Sequence, residues 1–270
     1  MTEHWRLIVD ATRDGPMNMA IDEAILEAVG RGEVPPTLRL YQWEPACLSV
    51  GYAQRIADVD MARIEERGWH LVRRMTGGRA ILHTDELTYS VALPESHPLA
   101  GGSIVDSYRR LSSALLVALN QIGLSAHADK RAAGAAAAGP VCFEVPSDYE
   151  IAAGGKKLIG SAQVRKQNAA LQHGSLPLHG DVSRICDALV FQDETARQDA
   201  RSRVLGRATT LADALGQPVN WDRVARAVCT AFATTFSLCL DEAPLTPAER
   251  QRSLELRAMR YASRDWNLRL

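Results

Sequence analysis

Apolar and polar residues follow two periods along this chain, and each period predicts a different kind of element. Between residues 103 and 122, apolar side chains recur every three or four positions, which predicts an amphipathic helix that ends at Gly123. Asn18 is the expected N-cap of an earlier helix, and Gly68 the expected end of a short one. Helices are therefore predicted over 18–29, 58–67, 103–122, 181–190, 221–236 and 247–261.

Short runs rich in β-branched and aromatic residues, bounded by turn residues, predict strands. These strands are predicted over 5–9, 37–43, 47–52, 70–74, 80–83, 87–92, 149–153, 156–163 and 171–178. Gly154 and Gly155 separate two of them and form a two-residue hairpin loop of the type that requires positive φ. Residues 130–139 are mostly alanine and glycine without a periodic apolar face, which predicts a mobile surface loop.

The order of these elements indicates the fold class. Strands and helices are mixed without regular βαβ alternation, so we expect an α+β fold in which a mixed or antiparallel sheet carries helices on one face. The glycine patterns of dinucleotide-binding folds and of P-loops are absent, which argues against both. Neither an internal repeat nor a proline-rich linker divides the chain. We therefore expect one domain over 1–270, with a helical segment at about 192–270 packed on the rest.

Composition and charge narrow the classes of function. The chain has 270 residues, of which 46% are hydrophobic and 23% are charged, as in soluble globular proteins. Its formal net charge of −1 argues against a nucleic-acid partner. The first ten residues lack a secretory signal, and no apolar run reaches the length of about 18 residues that a membrane span needs. We therefore expect a cytoplasmic protein without a membrane partner.

The cysteines indicate a reduced protein with one candidate nucleophile. There are five cysteines and no Cys-x-x-Cys pair, and the histidines lack ligand spacing, so neither a disulfide framework nor a metal site is predicted. Cys47, Cys186, Cys229 and Cys239 lie in apolar patterns and are expected in the core. Cys142 instead lies between the 130–139 segment and a polar turn, where a reactive thiol is expected. A small buried side chain is the alternative for Cys142.

Two basic, glycine-bearing motifs predict a pocket for a carboxyl-derived group. In the first, over 73–79, Arg73 and Arg74 precede Gly77 and Gly78, which let a ligand lie against main-chain N–H groups. In the second, over 155–163, Lys156 and Lys157 are adjacent on one strand and so face opposite sides. One lysine can then donate to a developing oxyanion while the other protects a strand edge.

Two histidines are further candidates for the pocket wall. His83 follows the first motif, and His173 lies at a glycine-bearing turn or strand. A lone histidine is more often structural. We therefore assign neither of them a proton-transfer role.

These motifs, in this order, resemble the biotin/lipoate protein ligase and octanoyltransferase superfamily. The matching segments are 15–24, 73–83, 155–163 and 172–175. The glycine–arginine loop of biotin ligases is absent, which argues against biotin as the substrate. The resemblance implies a catalytic module of biotin/lipoate ligase type at about 33–245.

Within the superfamily, the resemblance also implies specific roles. The family pattern Lys-x-x-Gly-Ser-Ala selects Lys157, and 142–150 is similar to the cysteine-dependent octanoyltransferases of the lipoate-protein-ligase-like branch. Cys142 would take octanoyl from octanoyl-acyl carrier protein and pass it to a lysine of the glycine cleavage H protein or another lipoyl domain, with no cofactor. Lys157 would stabilise the oxyanion. The implied pocket residues are Arg73, Arg74, Thr76, Gly77, Gly78, His83, Gly160, Ser161, Ala162, His173 and Gly174.

Two other functions remain open at this point. An ATP-dependent lipoate–protein ligase would use ATP and Mg as cofactors, with the Gly77–Gly78 turn and Lys157 around the adenylate and Cys142 incidental. A non-catalytic protein that binds acyl groups or lipoyl domains would need neither Cys142 nor Lys157.

Overall fold

The computed structural model of the protein describes residues 2–128 and 151–270. Its strands are β1 Glu3–Val9, β2 Thr37–Tyr41, β3 Cys47–Val50, β4 His70–Arg73, β5 Ile81–His83, β6 Glu86–Pro94, β7 His127–Ala128, β8 Ile151–Ala153, β9 Lys156–Lys166, β10 Ala169–Pro177 and β11 Leu238–Glu242. Its α-helices are α1 Gly15–Gly30, α2 Met61–Glu66, α3 Ile104–Gln121, α4 Glu194–Arg207, α5 Leu211–Leu215, α6 Trp221–Phe236, α7 Pro247–Leu256 and α8 Arg264–Asn267. Two 3₁₀ turns, Ile56–Asp58 and Val182–Ala188, and a π turn, Arg257–Tyr261, complete the described elements.

The described strands form a large sheet and a small one. The large sheet has eight strands in the order β11-β1-β2-β6-β10-β9-β8-β7. Strand β1 runs parallel to β11 and β2, whereas β2, β6, β10 and β9 pair antiparallel. The small sheet has the order β4-β3-β5. The α+β class with a mixed sheet is thereby confirmed.

Helices cover both faces of the large sheet. Trp5 on β1 packs with α3 and α6, whereas Ile8 on the same strand packs with α1, because alternate side chains of a strand face opposite ways. Helix α7 packs on α1 and adds an outer layer. The expectation of helices on one face was therefore wrong. The central strand β6 is buried on both faces, but Glu86, Thr88 and Ser90 alternate with apolar residues along it. This alternation is typical of a strand that has one face in solvent, so the sequence carried no sign of the second layer of helices.

Helix α1 begins earlier than the sequence pattern suggested. Asp14 is the N-cap and accepts a hydrogen bond from the Met17 N–H at 2.7 Å, and Pro16 lies in the first turn. Asn18, the predicted cap, is fully buried inside the helix, and its amide donates to the Gln42 carbonyl at 3.0 Å. This start brings one more turn of helix toward the small sheet, where Gly15 packs against Cys47.

The chain after residue 180 differs most from prediction. A 3₁₀ turn replaces the helix predicted over 181–190, and the helix predicted over 247–261 ends at Leu256 and continues as a π turn. Strand β11 was missed because five residues directly after a helix offer little period to detect. The strand predicted over 149–153 begins at Ile151, and residues 149–150 lie outside the described residues. None of the helices described here combines the length and apolar character needed to cross a bilayer.

Candidate active site

A pocket opens between the small sheet, helix α1 and strands β9 and β10. Its rim includes Gly78, Ser161 and Ala162, which are at least partly exposed. Most of its exposed inner surface is apolar and includes the buried side chains of Met19 and Trp43, although several polar side chains also reach it. The lining residues are Met19, Tyr41, Trp43, Ser49, Arg74, Gly78, Ile81, His83, Thr88, Gly160, Ser161, Ala162, His173, Gly174 and Ser175. Such a pocket suits a ligand with an apolar body.

The structure brings most of the residues from the two motifs together at this pocket. Those that line it are Arg74, Gly78, His83, Gly160, Ser161, Ala162, His173 and Gly174. Arg73, Thr76, Gly77 and Lys157 lie outside the lining. Cys142, with the segment predicted as a loop over 130–139, lies outside the described residues.

The Gly77–Gly78 turn is held by Arg74. The Nη2 group of Arg74 donates to the carbonyls of Gly77 at 2.9 Å and Arg79 at 2.7 Å. Gly78 has φ +93°, and a Cβ on Gly51 would lie 1.9 Å from the Gly78 carbonyl oxygen. The turn therefore depends on glycine at positions 51 and 78.

Arg73 serves the frame of the site. Its side chain is fully buried, and Nη1 donates to the Gly51 and Gln54 carbonyls at 2.8 and 2.6 Å. Nη2 donates to the Arg269 carbonyl at 2.7 Å. Arg73 thus joins the loop beneath the glycine turn to the C-terminal residues, and its position accounts for its absence from the pocket wall.

One buried chain of polar groups runs behind the pocket through His173. The Nε2 atom of His173 lies 2.7 Å from Thr76 Oγ1, and its Nδ1 atom lies 3.4 Å from an Asp22 oxygen. Burial opposes the ionisation of Asp22, but the His173 hydrogen bond and the Arg39 charge hold its pKa below the usual value. Burial lowers the pKa of His173 despite the attraction of Asp22. At pH 7, His173 is therefore uncharged and lies beside the ionised Asp22 carboxylate.

A second buried chain runs through His83. Its Nδ1 lies 2.7 Å from Glu86 Oε1, and its Nε2 lies 2.8 Å from Ser49 Oγ. Although burial opposes ionisation, the neighbouring His83 and hydrogen bonds from His83, Ser175 and Thr88 lower the pKa of Glu86. Trp43 stacks on the His83 ring with centroids 3.9 Å apart and planes within 9°. The ring is therefore fixed in position and orientation.

Strands β9 and β10 meet closely at Gly174, which pairs with Ser161. A Cβ at Gly174 would lie 2.4 Å from Ser161 Oγ and 2.6 Å from the Tyr89 ring. Ser161 Oγ in turn lies 2.8 Å from the Tyr89 hydroxyl. Glycine at 174 is therefore a condition of this side of the pocket.

The two lysines of β9 differ in environment, as strand alternation predicts. Lys156 donates from Nζ to the Leu205 carbonyl at 2.7 Å on helix α4. Lys157 is only 6% exposed, and its carbonyl accepts a hydrogen bond from Thr209. The two lysines therefore lie on opposite sides of the strand, and only Lys157 is buried.

Sequence reasoning missed the residues that close the pocket. These are Met19, Tyr41, Trp43, Ser49, Ile81, Thr88 and Ser175. The aromatic and aliphatic members look like core residues in sequence. Ser49 and Thr88 carried a usable signal, because a polar residue inside a strand buried on both faces requires a buried partner.

A separate cluster lies at the edge of the large sheet. His4 Nδ1 lies 2.7 Å from an Asp241 oxygen, and Cys239 Sγ lies 3.5 Å from the other Asp241 oxygen. In the described part of the chain, only these three residues form a group compact enough to hold a metal ion. Cys239 is therefore a partly exposed strand residue, not the core residue that the sequence suggested. Spacing along the sequence could not reveal the cluster, because strand pairing between distant segments creates it.

Comparison with known proteins places this fold and pocket in a family. The model of the lipoyl protein ligase A/B catalytic domain matches residues 14–233. The chain belongs to that family. It is 42% identical to Octanoyltransferase LipM of Kyrpidia tusciae over 271 residues, covering 98% of each protein.

Two solved structures share the fold over nearly the whole chain. A bipartite lipoate protein ligase from Thermoplasma acidophilum, described with its E2 lipoyl domain, superposes with a TM-score of 0.83 at 25% identity. That match covers 98% of this chain and 96% of the other. Lipoate-protein ligase A bound with ATP gives 0.81 at 26% identity and covers 99% of each chain.

Proposed function

We propose that this protein is an octanoyltransferase that carries octanoyl from an acyl carrier protein, through a thioester on Cys142, to a lysine of a lipoyl domain. The glycine cleavage H protein is one such acceptor. Full-length relatives that are about 40% identical to this chain are named octanoyltransferases. The observation that carries the proposal is the pocket, since an apolar interior beside a glycine turn and strand β9 suits a short acyl chain with a reactive carbonyl.

The proposed reaction consists of two acyl transfers. The Cys142 thiolate attacks the donor thioester, its sulfur bonds to the acyl carbon, and the donor sulfur leaves as a thiolate. The acceptor amine then attacks the acyl-enzyme and releases Cys142. Lys157 donates a hydrogen bond to the oxyanion in both steps, and loss of one such donor costs about 3 kcal/mol of the barrier.

An intact-mass experiment tests this proposal. The protein is incubated with octanoyl-acyl carrier protein, and a thioester adduct is expected on the wild type and absent from Cys142→Ala. Cys229→Ala is the matched control, because this half-buried cysteine lies on α6 away from the pocket. An adduct that survives in Cys142→Ala would contradict the proposal.

A lipoate–protein ligase is the second candidate, favoured by the close superposition on a ligase bound with ATP. A ligase would need ATP and Mg, and it would lipoylate an acceptor domain with Cys142→Ala at the wild-type rate. The transferase would instead work without ATP. Assays with and without ATP on both variants separate these two activities.

We further propose that residues 1–270 act as one domain, with the catalytic module at about 33–245 and the helical segment at about 192–270 packed on it. Two buried contacts support this unity. Arg6 of β1 pairs with Glu249 of α7 at 2.6 Å, and Arg73 donates to the carbonyls of Asn267 and Arg269. Limited proteolysis is expected to leave 192–270 attached and protected.

A further inference from the structure

The side chains of Ser49, His83 and Glu86 form a buried hydroxyl–imidazole–carboxylate chain that ends in the pocket. Ser49 lies on β3, and His83 and Glu86 lie on β5 and β6, so three strands position these hydrogen-bonded side chains. The three residues are 0%, 6% and 3% exposed, respectively. Ser49 and His83 both line the pocket.

The hydrogen bonds determine the direction in which this chain can pass a proton. Glu86 is an ionised acceptor, so His83 Nδ1 carries the proton and donates to Oε1 at 2.7 Å. In the tautomer that donates from Nδ1, Nε2 is an acceptor, and the Ser49 hydroxyl lies 2.8 Å away and donates to it. A proton that reaches Ser49 can therefore pass to His83.

The Ser49 oxygen retains capacity for a ligand. A hydroxyl oxygen has two acceptor positions. Arg74 Nη1 occupies one of them at 3.1 Å, and no other residue that the structure describes takes the second. Ser49 therefore offers a free acceptor position to a group in the pocket.

We propose that Ser49 is the catalytic proton acceptor for the attacking lysine amine, with His83 and Glu86 as the positioning residues that draw the proton onward. This inference rests on the proposed acyl-enzyme at Cys142. An acceptor lysine has a reference pKa of about 10.4, so only about one in 2,500 is uncharged at pH 7. A proton acceptor in the site is therefore needed.

The step balances without another reactant. The acceptor lysine enters as an ammonium ion and passes one proton to Ser49 Oγ while the hydroxyl proton passes to His83 Nε2. The free amine nitrogen then bonds to the acyl carbon, the carbon–sulfur bond breaks, and the second nitrogen proton goes to the leaving Cys142 thiolate. His83 returns the first proton to solvent, so the products are the octanoyl amide, the free thiol and one proton.

Two nucleophiles separate proton transfer from structural damage. The acyl-enzyme is first formed and freed of donor, and its discharge is then measured with an acceptor lipoyl domain and with hydroxylamine, which is already largely uncharged at neutral pH. For Ser49→Ala and His83→Gln, discharge to lysine is expected to fall about 100-fold. Formation of the acyl-enzyme and discharge to hydroxylamine should change less than about threefold, because neither step requires a lysine ammonium to lose a proton.

The controls use hydroxyl groups in matched settings. Ser49→Thr keeps the hydroxyl and should recover most of the lysine discharge. Ser253→Ala removes a buried, hydrogen-bonded hydroxyl on α7 outside the pocket and should leave both rates unchanged.

Each outcome has a distinct meaning. Lysine discharge at the wild-type rate in Ser49→Ala, or an equal slowing with both nucleophiles, would overturn the relay and leave the transferase intact. A wild type that forms no thioester would overturn the proposed function and the relay with it. Greater slowing with lysine than with hydroxylamine supports both.

Discussion

Close backbone approaches decide which single residues the site tolerates. At Gly174, a side-chain carbon would meet Ser161 Oγ at 2.4 Å and the Gly160 carbonyl oxygen at 2.9 Å. The backbone oxygen cannot move without disturbing the pairing of β9 with β10. This side of the pocket therefore requires a residue without a Cβ atom at position 174.

Gly174→Ala is expected to destabilise the protein by about 1–3 kcal/mol, because the added methyl group overpacks the β9–β10 contact. Urea unfolding monitored by circular dichroism measures the change. Gly206→Ala is the control: nothing lies within 4 Å of its added carbon, so the exposed α4 helix should gain about 0.5–1 kcal/mol. Equal stability of Gly174→Ala and wild type would refute the contact.

His173 should make stability depend on pH. Its pKa in the folded protein lies below the ordinary 6.5, mainly because of burial, while Asp22 partly offsets this and Arg74 adds to it. The unfolded chain then binds the proton first as the pH falls, so the free energy of unfolding decreases from about pH 6.5 downward.

Thermal unfolding between pH 7.5 and 5 measures this contribution in wild type and in His173→Gln. The variant should be less stable at pH 7.5, and the difference between the two proteins should shrink toward pH 5. If the difference in stability between the two proteins is constant across this range, the pKa of His173 is the same in the folded and the unfolded protein.

The sequence predicted the site at this scale only in part. Glycines and basic residues announced the turn and strand β9, because their chemistry departs from the ordinary pattern of a core. Met19 and Trp43 did not, since an apolar side chain that closes a pocket looks like one that fills a core. Arg73 was misplaced because its carbonyl partners lie at Gly51 and Gln54 and at the C-terminus, far from it in sequence.

At the scale of elements, caps and neighbours set the boundaries. Asp14 and Asn18 are both residues that favour the N-cap position. Asp14 is the cap of α1, and Pro16 lies in the first turn, where proline is favoured. Helix α6 matched its prediction at both ends, because an amphipathic run of 16 residues specifies itself. Strand β11 depends on pairing with β1, and no local pattern encodes that pairing.

The C-terminal helix α8 supports the glycine turn through Arg73. Asn267 Oδ1 accepts a hydrogen bond from the Arg73 N–H at 2.7 Å, and Trp266 Nε1 donates to the Arg73 carbonyl at 2.8 Å. Asn267→Ala leaves a buried N–H without its partner and should cost about 1–3 kcal/mol. Chemical denaturation measures the loss, and Asp265→Ala on the exposed side of α8 should be nearly neutral. Similar losses in the two variants would argue against a specific role for Asn267.

At the scale of the whole molecule, a buried ion pair joins the first strand to the last layer. Arg6 binds both oxygens of Glu249, at 2.7 and 2.6 Å, and the side chains are only 5% and 2% exposed. Thr37 accepts a further hydrogen bond from Arg6. The pair therefore ties β1, β2 and α7 together.

Glu249→Gln should destabilise the protein by about 3–5 kcal/mol, because it leaves the Arg6 charge buried without a counter-charge. Glu255→Gln is the control on the same helix, since its exposed pair with Arg252 is worth about 0–1 kcal/mol. Differential scanning calorimetry compares the two variants. If Glu249→Gln unfolds at the same temperature as Glu255→Gln, the buried pair contributes little to stability.

The pairing of β1 with β11 also has a consequence for biosynthesis. Arg6 and Glu249 lie 243 positions apart, and β1 pairs with β11 along its outer edge. A ribosome adds about 5–20 residues per second, so the first strand emerges many seconds before its partners exist. Its outer edge and the Arg6 charge are then open to other chains. Folding of the nascent protein can finish only after the last helices have left the ribosome, which makes early termination products incapable of reaching the native state.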